Sequence, residues 1–419
     1  MKEKKHLGIW PIIILFFTSV DTVLFGVNGN KIFLFVPRVV GVLFIGLYFI
    51  HYNKTKLYKT SFVVLLILLV MQLFSNVIWD APAGTAISHY LAILVAFAIT
   101  ELYSVNEFSH LFDSLMFVLS VSALVVEIMA WLFPSVFLLF PTMNNTAGAS
   151  IQTFIIGSVR TNSLGVWMFR SQSIFWEPAA FSIYLFFAIL NQLFVLKKIN
   201  NYHIIVYFLA TIITFSTTGY ISVTVLIAAY LFLNNNGGIK KRIVCIFALL
   251  GIVCFVIFAE NSTIYERVFG KILGDRYAST SLARISSVIN GMRISFDYPI
   301  FGISPNNMRE YMGEYASTSS LGIGNNYQVN ANTITYHFAA YGIVFGMIIL
   351  YGYALFAKKY TRNGFSFVLL FIAIMLAYCG EAFYSFFPFI FMFYGIKSKD
   401  KVVNDESIMV CEYADSKYS

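Results

Sequence analysis

Three acids, one histidine and four arginines stand where chemistry is possible. Glu177 precedes Pro178 at the start of an apolar run, with Trp176 beside it and Arg170 seven residues earlier, in FRSQSIFWEPAAFSIYLFFAIL, residues 169–190. Glu381 lies in the polar break CGEAFYS, residues 379–385, and His337 in NANTITYHFAAYGIVFG, residues 330–346. A carboxylate or an imidazole within hydrogen-bond reach of a hydroxyl can take its proton. Glu177 is therefore the first candidate base, with His337, Asp297 and Glu381 behind it. Arg160, Arg170, Arg284 and Arg293 are candidate anion-binding groups, because a guanidinium keeps its charge and grips phosphate or carboxylate through paired N–H donors. Plainer readings stand beside these. Pro at the first helical position with an acid before it is a good helix start. A loop arginine can simply pair with a nearby acid, as Arg267 can with Glu266 or Asp275.

The elements that must position these residues are membrane helices. Of 419 residues, 59% are hydrophobic and 11% charged, against roughly 25% charged in a soluble domain. An all-α, polytopic membrane protein follows, as one membrane domain over 1–419. The net charge of +8 does not point to nucleic acid, because Lys and Arg cluster between apolar spans as topology signals do. Spans of about 20 apolar residues are expected at 9–27, 32–50, 61–79, 86–102, 112–133, 179–196, 243–259 and 333–356. The stretches 203–233 and 365–396 are longer, have basic residues at both ends and break in the middle, at FSTTGY and CGEAFYS. Each reads as two short helices joined by a tight outer turn, with a re-entrant pair as the alternative. That makes twelve spans, both termini cytoplasmic, and a cytoplasmic tail at 397–419.

Two long external loops result, 134–178 and 260–332, in which short amphipathic helices are expected. The segments assigned inside hold 18 of the 28 basic residues, nearly all Lys, whereas the two loops hold seven of the ten Arg. Positive charge outside opposes the orientation rule. It suggests an extracytoplasmic site for anionic groups. Leu282–Phe296 carries Ile285, Val288, Ile289 and Met292 at helical spacing and can lie on the membrane surface. Arg284 and Arg293 are nine residues apart, about half a turn out of phase unless the helix breaks at Gly291. Charges inside spans are costly and face protein or a cavity. Asp21 and Arg38 should pair across the first hairpin, and His89 and Glu127 fall in the outer half of the membrane. Cys245, Cys254, Cys379 and Cys411 form neither a disulfide framework nor a metal site. The N-terminal apolar run reads as a retained helix without a clear cleavage site.

Four segments, in order, carry a resemblance. RSQSIFWEPAAFSIYL is similar to the Arg-x-x-(Gly/Ser)-x-Phe-x-Glu-Pro end of the first outer loop in bacterial polysaccharide repeat-unit polymerases, the Wzy type of O-antigen and capsule assembly. LATIITFSTTGYISVTVLI at 209–227 resembles that superfamily's Thr-x-Ser break. ARISSVINGMRISFDYPIFGISPNNM resembles its second loop, and NANTITYHFAAYGIVFG the segment after it. The resemblance spans roughly residues 150–396. It departs from the family in two places. Related ligases carry a His–Asn pair where Ala331 and Asn332 stand here, and the polymerases' Arg-x10-Gly spacing finds serines after Arg160, Arg284 and Arg293.

What the resemblance implies is a membrane glycosyltransferase without cofactor or metal, located in the bacterial inner or cytoplasmic membrane. It would transfer a growing glycan from undecaprenyl diphosphate to a sugar hydroxyl of an incoming lipid-linked unit. In that reading Arg160, Arg170, Arg284 and Arg293 bind the diphosphate, and Glu177, His337 and Glu381 are catalytic candidates. Membrane lipid, a flippase and a chain-length regulator are the implied partners. An O-antigen ligase and a lipid-linked oligosaccharide flippase are the alternatives.

Overall fold

The computed structural model describes residues 8–19, 31–52, 58–137, 139–144, 150–154, 156–161, 169–196, 198–233, 275–318, 331–383 and 385–397. The expected Asp21–Arg38 pair, the span at 243–259, the start of the second loop and the tail beyond Lys397 lie outside the described residues. Among the described residues the α-helices of nine residues or more are, in chain order, α1 (Trp10–Ser19), α2 (Lys31–Tyr52), α3 (Lys59–Ile78), α4 (Ala83–Leu102), α5 (Val105–Leu132), α6 (Pro178–Leu190), α7 (Asn201–Ile213), α8 (Thr217–Leu231), α9 (Asp275–Asp297), α10 (Ser304–Ser317), α11 (Thr333–Tyr341), α12 (Ile343–Tyr360), α13 (Gly364–Tyr378) and α14 (Phe387–Lys397). Among the described residues five segments are long and apolar enough to cross a membrane: Lys59–Ile78, Ala83–Leu102, Val105–Leu132, Pro178–Val195 and Ile343–Tyr360. Shorter apolar helices accompany them. The protein is an all-α polytopic membrane protein.

The helices are arranged for lipid rather than water. On α3, Val63, Leu66, Val70, Leu73, Val77 and Ile78 are exposed, whereas Ser61, Gln72, Ser75 and Asn76 are buried. An apolar exterior over a polar interior is what a hydrocarbon solvent demands, since polar groups there must find protein partners. Ser75 accordingly donates to the Ala340 carbonyl at 2.8 Å. The opposite extreme is α6, whose thirteen residues are all buried. It is the central helix, and a short π-helical turn, Asn191–Val195, extends it.

Both long apolar stretches split as expected. The first divides into α7 and α8 around Thr214–Ser216, where Ser216 caps α8 by accepting from the Gly219 amide. The second divides into α13 and α14 around residues 379–386. The helix ends sort into two groups. One group holds the Glu101–Lys397 ion pair at 3.6 Å, with Lys397 also over the Tyr58 ring at 4.2 Å. The other group holds the break at Thr214, the turn 379–386 and the described parts of both long loops.

Three expectations need correction. Among the described residues the first loop has one four-residue helix, Pro134–Phe137, and no other. It folds into an antiparallel meander, β1 (Thr142–Asn144), β2 (Ser150–Phe154), β3 (Gly157–Thr161) and β4 (Phe169–Ser171), in the order β1-β2-β3-β4. Its segments SIQTF and GSVRT are too short and too rich in β-branched residues for surface helices, and Val159 finds cover against Val126 and Ala130 of α5. Second, α9 is longer than expected and runs unbroken through Gly291. Third, the expected span 333–356 is two helices. Gly342, at φ +91, ends α11 and starts α12, and its lack of a Cβ admits the Ile300 carbonyl. The Ile343 amide then donates to Pro299 O at 2.8 Å.

Candidate active site

Glu177 stands at the head of the central helix. Its backbone is extended (φ −147, ψ 151), Pro178 occupies the first turn, and the side chain makes no capping bond. The carboxyl instead hydrogen-bonds to that of Glu381, which lies in the turn after α13. The cap reading therefore accounts for Pro178, and the side chain of Glu177 is committed to another acid.

Glu381 is held from several sides. Thr333, in the first turn of α11, donates its hydroxyl to the Glu381 carbonyl at 2.7 Å and accepts from the Phe383 amide at 3.0 Å. Asn332 caps α11 by accepting from Thr335 N at 2.8 Å, while its Nδ2 donates to Cys379 Sγ at 3.0 Å. Gly380 allows the Thr218 hydroxyl in close, at 2.7 Å from where a Cβ would stand. Trp176 meets Phe383 edge to face at 5.1 Å. Five elements thus fix one turn: α6, α8, α11, α13 and α14.

Half-buried Arg284 of α9 completes the cluster. Its charge acts on both Glu381 and Cys379. The second loop is tied down beside it, where the Ala331 amide donates to Ser287 Oγ at 3.1 Å. Burial, and then the neighbouring Glu177 charge and hydrogen bond, hold the Glu381 carboxyl well above the ordinary carboxylate range, and Arg284 pulls against that rise. Two carboxyls in contact cannot both ionise readily, so the pair shares a proton. Such a pair has one acceptor of protons and one donor, beside a fixed cation.

The remaining candidates stand elsewhere. Arg170, in β4, donates from Nε to Thr214 O at 3.1 Å and from Nη2 to Phe215 O at 3.2 Å. Its backbone pairs in register with Arg160 of β3, whose side chain is outside the described residues. Arg293 is exposed and sits over the Tyr315 ring at 5.3 Å, and Tyr315 donates to Asp297. It leaves α9 on a different side from Arg284. His337 is 1% exposed, and among the described residues neither of its ring nitrogens is hydrogen-bonded. Rings of Tyr341, Phe345 and Phe389 enclose it at 6.3, 5.8 and 5.2 Å. Sequence reasoning missed Asn332, Thr333 and Thr218 as supports of the site. The N-cap position of Asn332 before TITYHF was the available signal. Among the described residues no group of three or more His, Cys, Asp or Glu side chains is placed to hold a metal ion.

Residues 203–338 match the family described as O-Antigen ligase. The matched segment contains Arg284, Arg293, Asn332 and His337, and Glu177 and Glu381 flank it in sequence. Among curated proteins none matches the chain. The family match, on a segment holding two of the four motifs above and the start of a third, supports a likeness to the O-antigen ligase/polymerase superfamily over residues 203–338.

Proposed function

We propose that the protein is a polymerase of lipid-linked oligosaccharide repeat units, working on the outer face of the cytoplasmic membrane. Glycan transfer of the ligase/polymerase type is what the family match supports. The polymerase reading rests on the contact between Glu177 and Glu381 beside Arg284. In it, Glu177 takes the proton of an acceptor sugar hydroxyl. The freed oxygen attacks the anomeric carbon of the growing chain, and the bond from that carbon to the lipid diphosphate breaks, its electron pair leaving on the diphosphate oxygen.

The charges explain why acid and cation belong together. Before reaction the pair carries one proton and one negative charge, which offsets Arg284. When the pair accepts the hydroxyl proton it becomes neutral. Arg284 is then uncompensated at the moment negative charge develops on the diphosphate. Stabilising charge where it develops is commonly the largest catalytic term, with one such group worth roughly 10²–10³ in rate. Arg284 is therefore our first choice for the diphosphate. Arg160 and Arg170 lie toward the sheet, and Arg293 sits with Tyr315 and Asp297.

The position of a ligase's His–Asn pair supports polymerisation over ligation, because Ala331 and Asn332 occupy it and Asn332 is engaged as a cap and with Cys379. The test is genetic. A strain lacking the gene should display single repeat units on lipid or acceptor outside the membrane, and the wild-type gene should restore a ladder of lengths. Accumulation of units on the cytoplasmic side would favour a flippase. Full-length glycan left on its lipid would favour a ligase.

A further inference from the structure

The second long loop carries a helix turned inside out. In α9, Ser286, Ser287, Asn290 and Ser295 are buried, whereas Ile285, Ile289 and Phe296 are 52%, 40% and 66% exposed. A surface helix in water does the opposite, hiding its apolar stripe and showing its polar face. The buried polar face is engaged with protein. Asn290 Nδ2 donates to Ser286 Oγ at 2.9 Å, Ser287 Oγ accepts from the Ala331 amide at 3.1 Å, and Gly291 lets the Thr335 side chain of α11 come within 3.0 Å of where a Cβ would stand. On the other face Ile285, Ile289, Met292 and Phe296 fall within about 60° of one another around the helix. Ile300, 62% exposed, follows them in the turn after α9. Single exposed apolar residues are ordinary. A stripe of them opposite buried serines and an asparagine is not, and it repeats the pattern of the lipid-facing helix α3.

The stripe is continuous with that face of α3. Phe301 meets Phe74 of α3 at 5.1 Å between ring centroids, and Phe74, Val77 and Ile78 are exposed there, at the end of α3 remote from Lys59. Trp79, just past that end, donates Nε1 to Gly302 O at 2.8 Å and packs edge-on against Tyr298. Phe74 lies about 7.5 Å along the helix axis inside Trp79, within the span Lys59–Ile78. The turn after α9 is thus fastened at a depth where α3 is already in hydrocarbon. We propose that α9 and the turn 299–301 are immersed in the leaflet on the side of the carboxyl pair, with the acyl chains of bilayer phospholipids covering the stripe. Arg284 and Arg293 leave the helix on opposite sides of it, from where long basic side chains reach the phosphate level. In the polymerase reading this sets Arg284 at the height of a lipid-borne diphosphate. The immersion itself does not depend on that reading.

The experiment places full-length wild-type protein, one copy per nanodisc, in phosphatidylcholine that carries a diazirine on its acyl chain, with no polyprenyl lipid present. Irradiation followed by peptide mass spectrometry reads where the carbene inserts. Insertion at Ile285, Ile289 and Phe296 should lie within about threefold of that at residues 70–78 of α3, and about tenfold or more above that in the wholly buried α6, as expected for a helix lying in the acyl boundary. Insertion in α9 no higher than in α6 overturns the proposal, because water, another protein or another segment of this chain then covers the stripe. A second arm replaces the labelled phospholipid with a diazirine-bearing polyprenyl phosphate in unlabelled phosphatidylcholine. Labelling of α9 in that arm alone also overturns the proposal and assigns the stripe to the substrate's own chain. Neither arm needs turnover, so a failure of the polymerase reading leaves the result standing.

Discussion

Two acid clusters, one buried around Asp113 and one half-buried around Glu177 and Glu381, are built oppositely. Around Asp113 of α5 every demand is met. Its Oδ1 accepts from Gln192 Nε2 and from the Tyr207 hydroxyl, each at 2.7 Å, and its Oδ2 faces His203 Nδ1 at 2.7 Å. His203 in turn stacks on Phe117 at 4.1 Å, and Gln192 Oε1 accepts from the Asn200 amide at 2.9 Å. This network ties α5 to α7 and to the π-helical end of the central helix. Around Glu177 and Glu381 an acid is bonded to an acid, and the offsetting cation, Arg284, comes from a loop helix. A satisfied carboxylate locks helices together. A carboxylate facing its own kind stores a proton, and that is useful only where protons move. The difference teaches which enclosed acids to suspect of chemistry: those whose partners make their ionisation harder.

Substitutions can break this contrast. The largest expected effect is on turnover at the acid pair. Glu177→Gln should lower polymer formation by about 10²–10⁴, the usual worth of a general base, with unchanged elution and thermal unfolding of the purified protein. Arg284→Ala should cost roughly 10²–10³, and Arg284→Lys should recover only part, because one ammonium cannot reproduce the guanidinium fork. Asp113→Ala should do the reverse. Removing one partner of a buried charged network costs about 3–5 kcal/mol of stability, read as a lowered unfolding temperature in detergent, while surviving folded protein keeps its turnover per molecule.

A pH profile sharpens the comparison further. The Glu381 carboxyl sits well above its ordinary range in the folded protein, so the folded state binds this proton more tightly than the unfolded chain does. The stabilising proton is fully present below the ordinary carboxyl range and is lost as pH rises through the raised value. Turnover should therefore show an alkaline limb, and Glu381→Gln, which keeps a permanent donor, should flatten it. Smaller still is Arg293→Ala. Its cation–π contact with Tyr315 is worth about 0.5–1 kcal/mol at an exposed site, and turnover should change less than about threefold, measured in the same assay. Chelation of divalent cations should leave the rate unchanged.

Much of the fold was legible in the sequence because a bilayer imposes a simple rule. Apolar length and basic flanks placed the split helices at 203–233 and 365–396, and the polar breaks FSTTGY and CGEAFYS fell where α7–α8 and α13–α14 divide. The meander in the first loop was not legible, since its strands are three to five residues long and their pairing is nonlocal. Gly342 was read as part of one span because hydropathy alone does not register a positive φ. For the site, Glu177, Glu381 and Arg284 were each nominated by residue type. That they meet depends on a turn held by Thr333, Asn332 and Thr218, through contacts that all join residues more than forty positions apart. Residue type also could not tell that Arg170 points at backbone carbonyls or that His337 is enclosed by rings.

The most direct measurement supplies purified protein with one defined undecaprenyl-diphosphate-linked repeat unit and resolves the products by length. The account predicts a ladder of polymers from wild type, release of undecaprenyl diphosphate in step with each bond formed, and loss of both in Glu177→Gln and Arg284→Ala. A ladder that persists undiminished in both variants would contradict the assignment of the carboxyl pair and Arg284 as the site.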